Sequence, residues 1–277
     1  AQSEGCTDEP VVTTWVHGQH LLADGVKMAK SAGNSFILSH IEAQAIDPLA
    51  FRYLCMTARY RSRVNFTFTA LKAAQRALLR LYNLVWLWSA DPIPAPAHVD
   101  GGVAEEWNGK FLDRINDNLD LPRALALTWQ LVRSDLPVKL KLQILLEYDK
   151  VLGLGLDTVS ERFSVPAEVA HSNEDRSRLR QEARYQEADV LRTRLDDEGY
   201  LVADTPSGTL VRPKTEWETR QEQWSSISSS SEVSSLVDEA DSTDLTVGIV
   251  ACNYLEDVQR CVGSALRWLE GRQAEVL

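Results

Sequence analysis

Two lysines, Lys27 and Lys30, stand three residues apart with Met28 and Ala29 between them, and Ser31, Ala32, Gly33 and Asn34 follow. An ammonium is a compact charge on a flexible stem. A pair of them on a glycine-flanked loop therefore suits an anionic ligand whose charge builds during a reaction. An exposed basic loop without chemistry has the same composition, and for two lysines alone that plainer reading is preferred. A second concentration of charge lies downstream. Pro48 to Ala90 contains no Asp or Glu but seven basic residues: Arg52, Arg59, Arg61, Arg63, Lys72, Arg76 and Arg80. Metal chemistry has weaker support. Cys6, Cys55, Cys252 and Cys261 form no CxxC pair and read as free thiols. His17 and His20 have no third ligand nearby and read as loop or strand-end histidines.

The elements that would carry these residues are mostly helical. Pro10 to Leu22 has short apolar runs of strand type, and Ala23-Asp24-Gly25 marks a turn. A short helix fits Ser39 to Ala45, ending before Asp47-Pro48. Pro48 to Trp88 reads as two helices. In the second, Leu71, Ala74, Leu78, Leu81, Val85 and Trp88 share an apolar face, while Lys72, Arg76 and Arg80 recur every four residues on another. An ordinary solvated face usually carries acidic partners at i±4, and this one has none, which favours a phosphate-facing stripe. After the Pro-rich break from Asp91 to Gly102, helices are expected over Trp107–Leu119, Pro122–Val132 with Asp120 as N-cap, and Lys139–Leu152 ending at Gly153. Glu174 to Glu198 reads as one charged helix, and Tyr200–Asp204 with Thr209–Arg212 as a β-hairpin. Lys214 to Thr243 holds nine serines and seven acidic residues and reads as a disordered tether. Beyond it, Leu245–Val250 is expected as a strand and Leu255–Trp268 as a helix.

The formal net charge is −11, which taken whole argues against nucleic acid. Screening beyond roughly 8 Å lets a local basic patch act independently of that total. No stretch approaches the ~18 apolar residues of a membrane helix, and no signal peptide opens the chain, so a cytoplasmic protein is expected.

The string Lys27-Met28-Ala29-Lys30-Ser31 resembles the KMSKS signature of class I aminoacyl-tRNA synthetases, with Ala29 in place of the first serine and Ala32 in place of the usual leucine. The flanks narrow the resemblance to the cysteinyl-tRNA synthetases. Ala1-Gln2-Ser3-Glu4 and Trp15-Val16-His17-Gly18 are similar to the segment before that loop. Phe51-Arg52-Tyr53-Leu54, Tyr60-Arg61-Ser62 and Leu71 to Leu84 resemble the stem-contact and first bundle helices. Phe111 to Leu127 and Leu146 to Leu154 resemble the rest of the bundle, although Asn116 to Pro122 departs from the usual acidic, threonine-containing version. Ala188 to Arg192, Leu195, Gly199, Asp204-Thr205-Pro206 and Gly208-Thr209 resemble the small anticodon-binding domain.

The resemblance implies a mainly α protein. Residues 1–47 would be the tail of a Rossmann-like class I catalytic domain, 48–160 stem-contact helices and a tRNA-binding bundle, and 161–213 a small helix plus β-hairpin anticodon domain. Residues 214–243 would be an acidic linker and 244–277 the start of an α/β domain similar to a family-two glycosyltransferase. It also implies an activity: ATP-dependent (with Mg) attachment of cysteine to tRNA-Cys. Lys27, Met28, Lys30 and Ser31 would bind ATP, with the two lysines catalytic. Arg52, Arg61, Lys72, Arg76, Arg80, Arg180, Asp189, Arg192 and Asp204 would contact tRNA. For Asp189 and Arg192, spacing alone prefers a surface ion pair. The family's HIGH motif and zinc ligands would lie upstream of residue 1, so no metal ligand is expected here and the chain is expected to be an inactive fragment on its own. Two alternatives remain: an inert tRNA-binding module, or the related ligase joining cysteine to a sugar amine, which has no need of an anticodon domain.

Overall fold

Asp24 and Gly25 reverse the chain with φ of 49° and 81°. Two successive positive-φ residues make the tight turn whose twist matches a hairpin, and Asp-Gly is well suited to it. The strands it joins are β1, Leu22–Ala23, and β2, Val26–Lys27. A third strand, β3 (Asn65–Phe66), runs parallel to β1, so the sheet order is β2-β1-β3. The Asn65 Oδ1 accepts from the Gly25 N–H at 2.8 Å and pins the turn to the far strand. The computed structural model describes residues 2–7, 9–28, 36–90, 101–205, 208–222, 245–247, 262 and 274–276. The chain divides into two compact units, Ala1–Trp224 and Ser225–Leu277.

The first unit is mainly helical. After α1 (Gln2–Thr7) and the small sheet come α2 (Leu38–Glu42), α3 (Pro48–Met56) and the 23-residue α4 (Phe68–Ala90). The helix α3 starts where Asp47 accepts from the Leu49 N–H at 2.8 Å and Pro48 occupies the first turn, which needs no amide donor. The bundle continues with α5 (Gly101–Asn116), α6 (Leu121–Arg133) and α7 (Val138–Leu152). Asp120 caps α6, as its position before Pro122 predicts. Leu71, Leu78, Leu81, Leu131, Ile144 and Leu145 are wholly buried between these helices, and the Phe111 and Tyr148 rings stack at 4.0 Å. Each such leucine contributes about 1.5–3 kcal/mol by leaving water.

The end of α7 is a closely fitted corner. Gly153 takes φ 60°, and a Cβ there would stand 2.8 Å from the Arg52 Nη2. The Arg52 Nε donates to the Leu152 carbonyl at 2.6 Å. The Asp149 carboxylate accepts from the Leu154 and Leu156 N–H groups at 2.7 and 2.8 Å. Burial nevertheless holds its pKa above the ordinary value, because desolvation outweighs those donors.

Beyond α8 (Val159–Arg162), two helices stand where one was expected: α9 (Ala167–Gln181) and α10 (Tyr185–Asp197). They are separated at Ala183, φ 59°, whose N–H bonds to the Arg180 carbonyl while the Arg184 N–H reaches the Leu179 carbonyl. That is a Schellman end without its glycine, so no breaker residue marks it. The hairpin follows as expected, β4 (Tyr200–Thr205) against β5 (Gly208–Pro213), and packs on both helices. Two further expectations are corrected. Pro10 to Leu21 forms no regular strand, because only Leu22 and Ala23 find a ladder partner. The expected tether from Lys214 begins with α11, Glu216–Glu222, because Trp217, 5% exposed, joins the bundle core.

In the second unit, β6 (Leu245–Val247) pairs parallel with β7 (Ala274–Val276). The expected helix Leu255–Trp268 lies outside the described residues, apart from Val262, which is helical.

Candidate functional site

The hairpin delivers the lysine loop from a fixed base. Lys27 ends β2 with its side chain exposed. Met28 turns into the core, and its N–H donates to the Leu21 carbonyl at 3.1 Å. Ala29, Lys30 and Ser31 lie outside the described residues. The chain re-enters the core at Phe36, whose ring sits 5.1 Å from Phe66 and 5.5 Å from Phe68. The loop base is also tied to the basic helix. The Leu22 N–H donates to the Val64 carbonyl at 2.8 Å and the Asp24 N–H to the Phe66 carbonyl at 3.1 Å, two residues before α4 begins.

On α4, Lys72, Arg76 and Arg80 lie opposite the buried face of Leu71, Leu78 and Val85, with Arg76 and Arg80 exposed and Lys72 half-buried. Among the described residues none of the three meets a carboxylate in an ion pair. The Arg80 guanidinium rests over the Trp129 ring at 5.3 Å, and the Trp129 indole donates to the Tyr53 hydroxyl at 2.8 Å. A cation held on an aromatic face keeps its charge while losing side-chain freedom before any ligand arrives. Arg61 lies similarly over Tyr60 at 5.3 Å. Arg52 is exposed, but its Nε is used on the α7 terminus, so it is a structural clamp as well as a surface cation. Arg59 pairs with Asp120, the α6 cap, and the Tyr60 hydroxyl donates to Asn118 Oδ1 at 2.9 Å. Burial works to raise the Asp120 pKa, but Arg59 and the Arg123 N–H hold it below the ordinary range. These contacts fix the Arg59–Ser62 turn on the α5–α6 corner, where Asn118 and Leu119 both take positive φ. A groove of about 460 Å³ runs beside it, lined by Gln19, Leu21, Arg52, Cys55, Tyr60 and Leu121.

In the α9–α10–hairpin module the expected residues separate into two groups. Asp204 accepts from Arg176 at 2.8 and 3.0 Å, and Arg180 stands 3.6 Å from its Oδ2. The Arg176 hydrogen bond lowers the Asp204 pKa more than burial raises it. Asp189 and Arg192 are exposed on α10, and the ion pair that their spacing favours is not formed among the described contacts. Asp189 lines a shallow groove of about 630 Å³ with Gln186, Val190 and Thr193. Sequence reasoning missed Arg176, which is wholly buried. Its only signal was its place one turn before Arg180. It also missed Trp129 and Asp120 as partners of Arg80 and Arg59, contacts between residues far apart in the chain.

Residues 1–76 match the family of tRNA synthetases class I (C), catalytic domain. The chain is 39% identical over 211 residues to cysteine–tRNA ligase 1 of Burkholderia lata, covering 75% of this chain and 43% of that protein. It is 31% identical over 226 residues to the cysteine–tRNA ligase of Chlamydia abortus (76% and 47%) and 31% over 230 residues to that of Leptospira interrogans (77% and 49%). The chain carries a cysteinyl-tRNA synthetase region. It spans less than half the length of the relatives it matches.

Within this synthetase region the described residues include no group of three His, Cys, Asp or Glu able to hold a metal ion. The zinc that the family implies finds no such group of ligands among the described residues. The thiols of Cys6 and Cys55 are free. Among the described residues no helix is long and apolar enough to cross a membrane.

Proposed function

We propose that this synthetase region supplies the nucleotide-closing loop and the tRNA-binding surfaces of a cysteine–tRNA ligase. In this reading residues 1–47 end the catalytic domain, 48–160 contact the stem and form the bundle, and 161–213 bind the anticodon. Lys27 and Lys30 offset charge that develops on the ATP phosphates, with Met28 and Ser31 shaping the loop. Arg52, Arg61, Lys72, Arg76 and Arg80 meet the tRNA backbone, where lysine and arginine bind phosphate by releasing counterions. Arg180, Asp189, Arg192 and Asp204 face the anticodon, since carboxylates accept from base amines and arginine donates to base edges. ATP with Mg, cysteine and tRNA-Cys are the substrates, and the cytoplasm is the site of action.

The observation that carries this reading is the parallel pairing of β1 with β3, Leu22 opposite Asn65. It ties the lysine loop to an acid-free basic helix, so that one ligand can engage both. The test is cysteine-dependent ATP–pyrophosphate exchange. The chain alone is expected to show none, and the chain joined to a relative's N-terminal half is expected to gain it. Robust exchange by the chain alone, or none after joining, contradicts the reading.

A second reading is a tRNA-binding module without chemistry, which the basic stripe of α4, with Arg80 held over Trp129, supports by itself. Binding of tRNA-Cys without exchange in the joined protein would select it. The hairpin module of α9, α10, β4 and β5 speaks against a ligase acting on a sugar amine, which has no anticodon to bind.

A further inference from the structure

Arg176 and Arg212 are the largest fully buried side chains in the described residues, and the charge of Arg176 points at a carboxylate that is not buried. Its Nη1 and Nη2 donate to Oδ1 and Oδ2 of Asp204 at 2.8 and 3.0 Å, while Asp204 itself is 37% exposed. Nη1 also lies 3.4 Å from the Thr209 hydroxyl, which donates to Asp204 Oδ1 at 3.3 Å. The Asn173 amide donates to the Thr209 carbonyl at 2.9 Å. Arg180, one turn along α9 and 39% exposed, stands 3.6 Å from Oδ2, too far for a direct hydrogen bond.

A planar fork gripping both oxygens fixes the plane of a carboxylate as well as its position. Each carboxylate oxygen has two acceptor sites. Arg176 takes one on each oxygen and Thr209 a second on Oδ1, which leaves Oδ2 with an acceptor site beside the Arg180 donor. A simple clasp between helix and hairpin would need no such partly exposed partner.

We propose that Arg176 is a positioning residue for base reading at Asp204. It holds that carboxylate as a fixed, ionised acceptor next to the Arg180 donor, for an unpaired base that carries an exocyclic amine. Adenine, cytosine and guanine carry such an amine, and uracil does not. This rests on the anticodon-binding role proposed above for residues 161–213.

The test measures binding of the full chain to the anticodon stem-loop RNA of tRNA-Cys and to three versions with one anticodon base each replaced by uracil. The wild-type chain is expected to disfavour at least one uracil version by ~10-fold or more. Asp204→Asn is expected to abolish that preference. Arg176→Lys, which keeps the charge but loses the fork, and Arg176→Met, which leaves Asp204 free to turn into water, are each expected to abolish it too. Asn173→Ala removes the amide contact to the Thr209 carbonyl and loosens the same corner, while both Arg176–Asp204 hydrogen bonds remain. It is expected to keep the preference, with melting curves reporting the folding of every variant. Loss of preference in Asp204→Asn but retention within about twofold in a folded Arg176 variant overturns the proposal. So does loss in Asn173→Ala equal to that in the Arg176 variants, which would make Arg176 a clasp only. Retention in Asp204→Asn instead removes base reading at Asp204 itself.

Discussion

Arg212, near the end of β5, donates both Nη groups to the Glu218 carboxylate of α11, at 2.9 and 2.6 Å. Its guanidinium lies 4.7 Å from the Phe163 ring centroid and 5.7 Å from that of Trp86. One buried ion pair thus fastens the hairpin module to the bundle, with Trp217 packed beside it in the core.

Removing one partner of such a pair strands a charge, at a cost of about 3–5 kcal/mol when fully buried. Glu218→Gln keeps the shape and is expected to lower unfolding stability by about 2–3 kcal/mol, the reduced figure reflecting the partial exposure of Glu218. Burial raises the Glu218 pKa, but Arg212 and Thr215 outweigh it, and the net direction is downward from 4.5. A depressed folded pKa stabilises above the unfolded value and is lost as pH falls through the folded one. Between pH 7 and pH 3 the wild type is therefore expected to lose more stability than Glu218→Gln. Denaturant melts at the two pH values check this, and parallel losses would contradict it.

Gly153→Ala tests the corner at the end of α7. The left-handed φ and the 2.8 Å approach to Arg52 combine, and a loss of about 1–3 kcal/mol is expected by thermal or denaturant unfolding. Arg52→Ala should relieve the clash, so the double variant is expected to lose less than the sum of the singles. Strict additivity would show that the two residues do not share this corner.

Much of this framework was legible beforehand because it is punctuated locally. Asp47-Pro48, Asp120 with Pro122, and Gly153 each mark a helix boundary by the chemistry of a single turn. The missed features share a different cause. The break at Ala183 lacks a glycine, and β3 is two residues long and exists only because β1 lies beside it. The order of α11 depends on Trp217 finding a distant core. The buried state of Arg176 was hidden because charged residues are normally read as surface. Among the candidate site residues, the stripe on α4 followed from periodicity, whereas the engagement of Asp204 by Arg176 came only from the fold.

In the protein joined to an upstream catalytic half, Lys30→Ala is expected to lower ATP–pyrophosphate exchange by at least ~100-fold, as when a transition-state donor is removed. Lys27→Ala is expected to lower it in the same direction. Exchange near wild type in Lys30→Ala would remove the loop from the chemistry.

The salt dependence of tRNA-Cys binding tests the central claim most directly, because it counts phosphate contacts. For the wild-type chain, log K is expected to fall linearly with log salt. In the charge-reversed pair Arg76→Glu/Arg80→Glu the slope is expected to flatten by about 2, with weaker binding throughout. A slope and affinity unchanged by that reversal would contradict the account, leaving the α4 stripe as solvated surface.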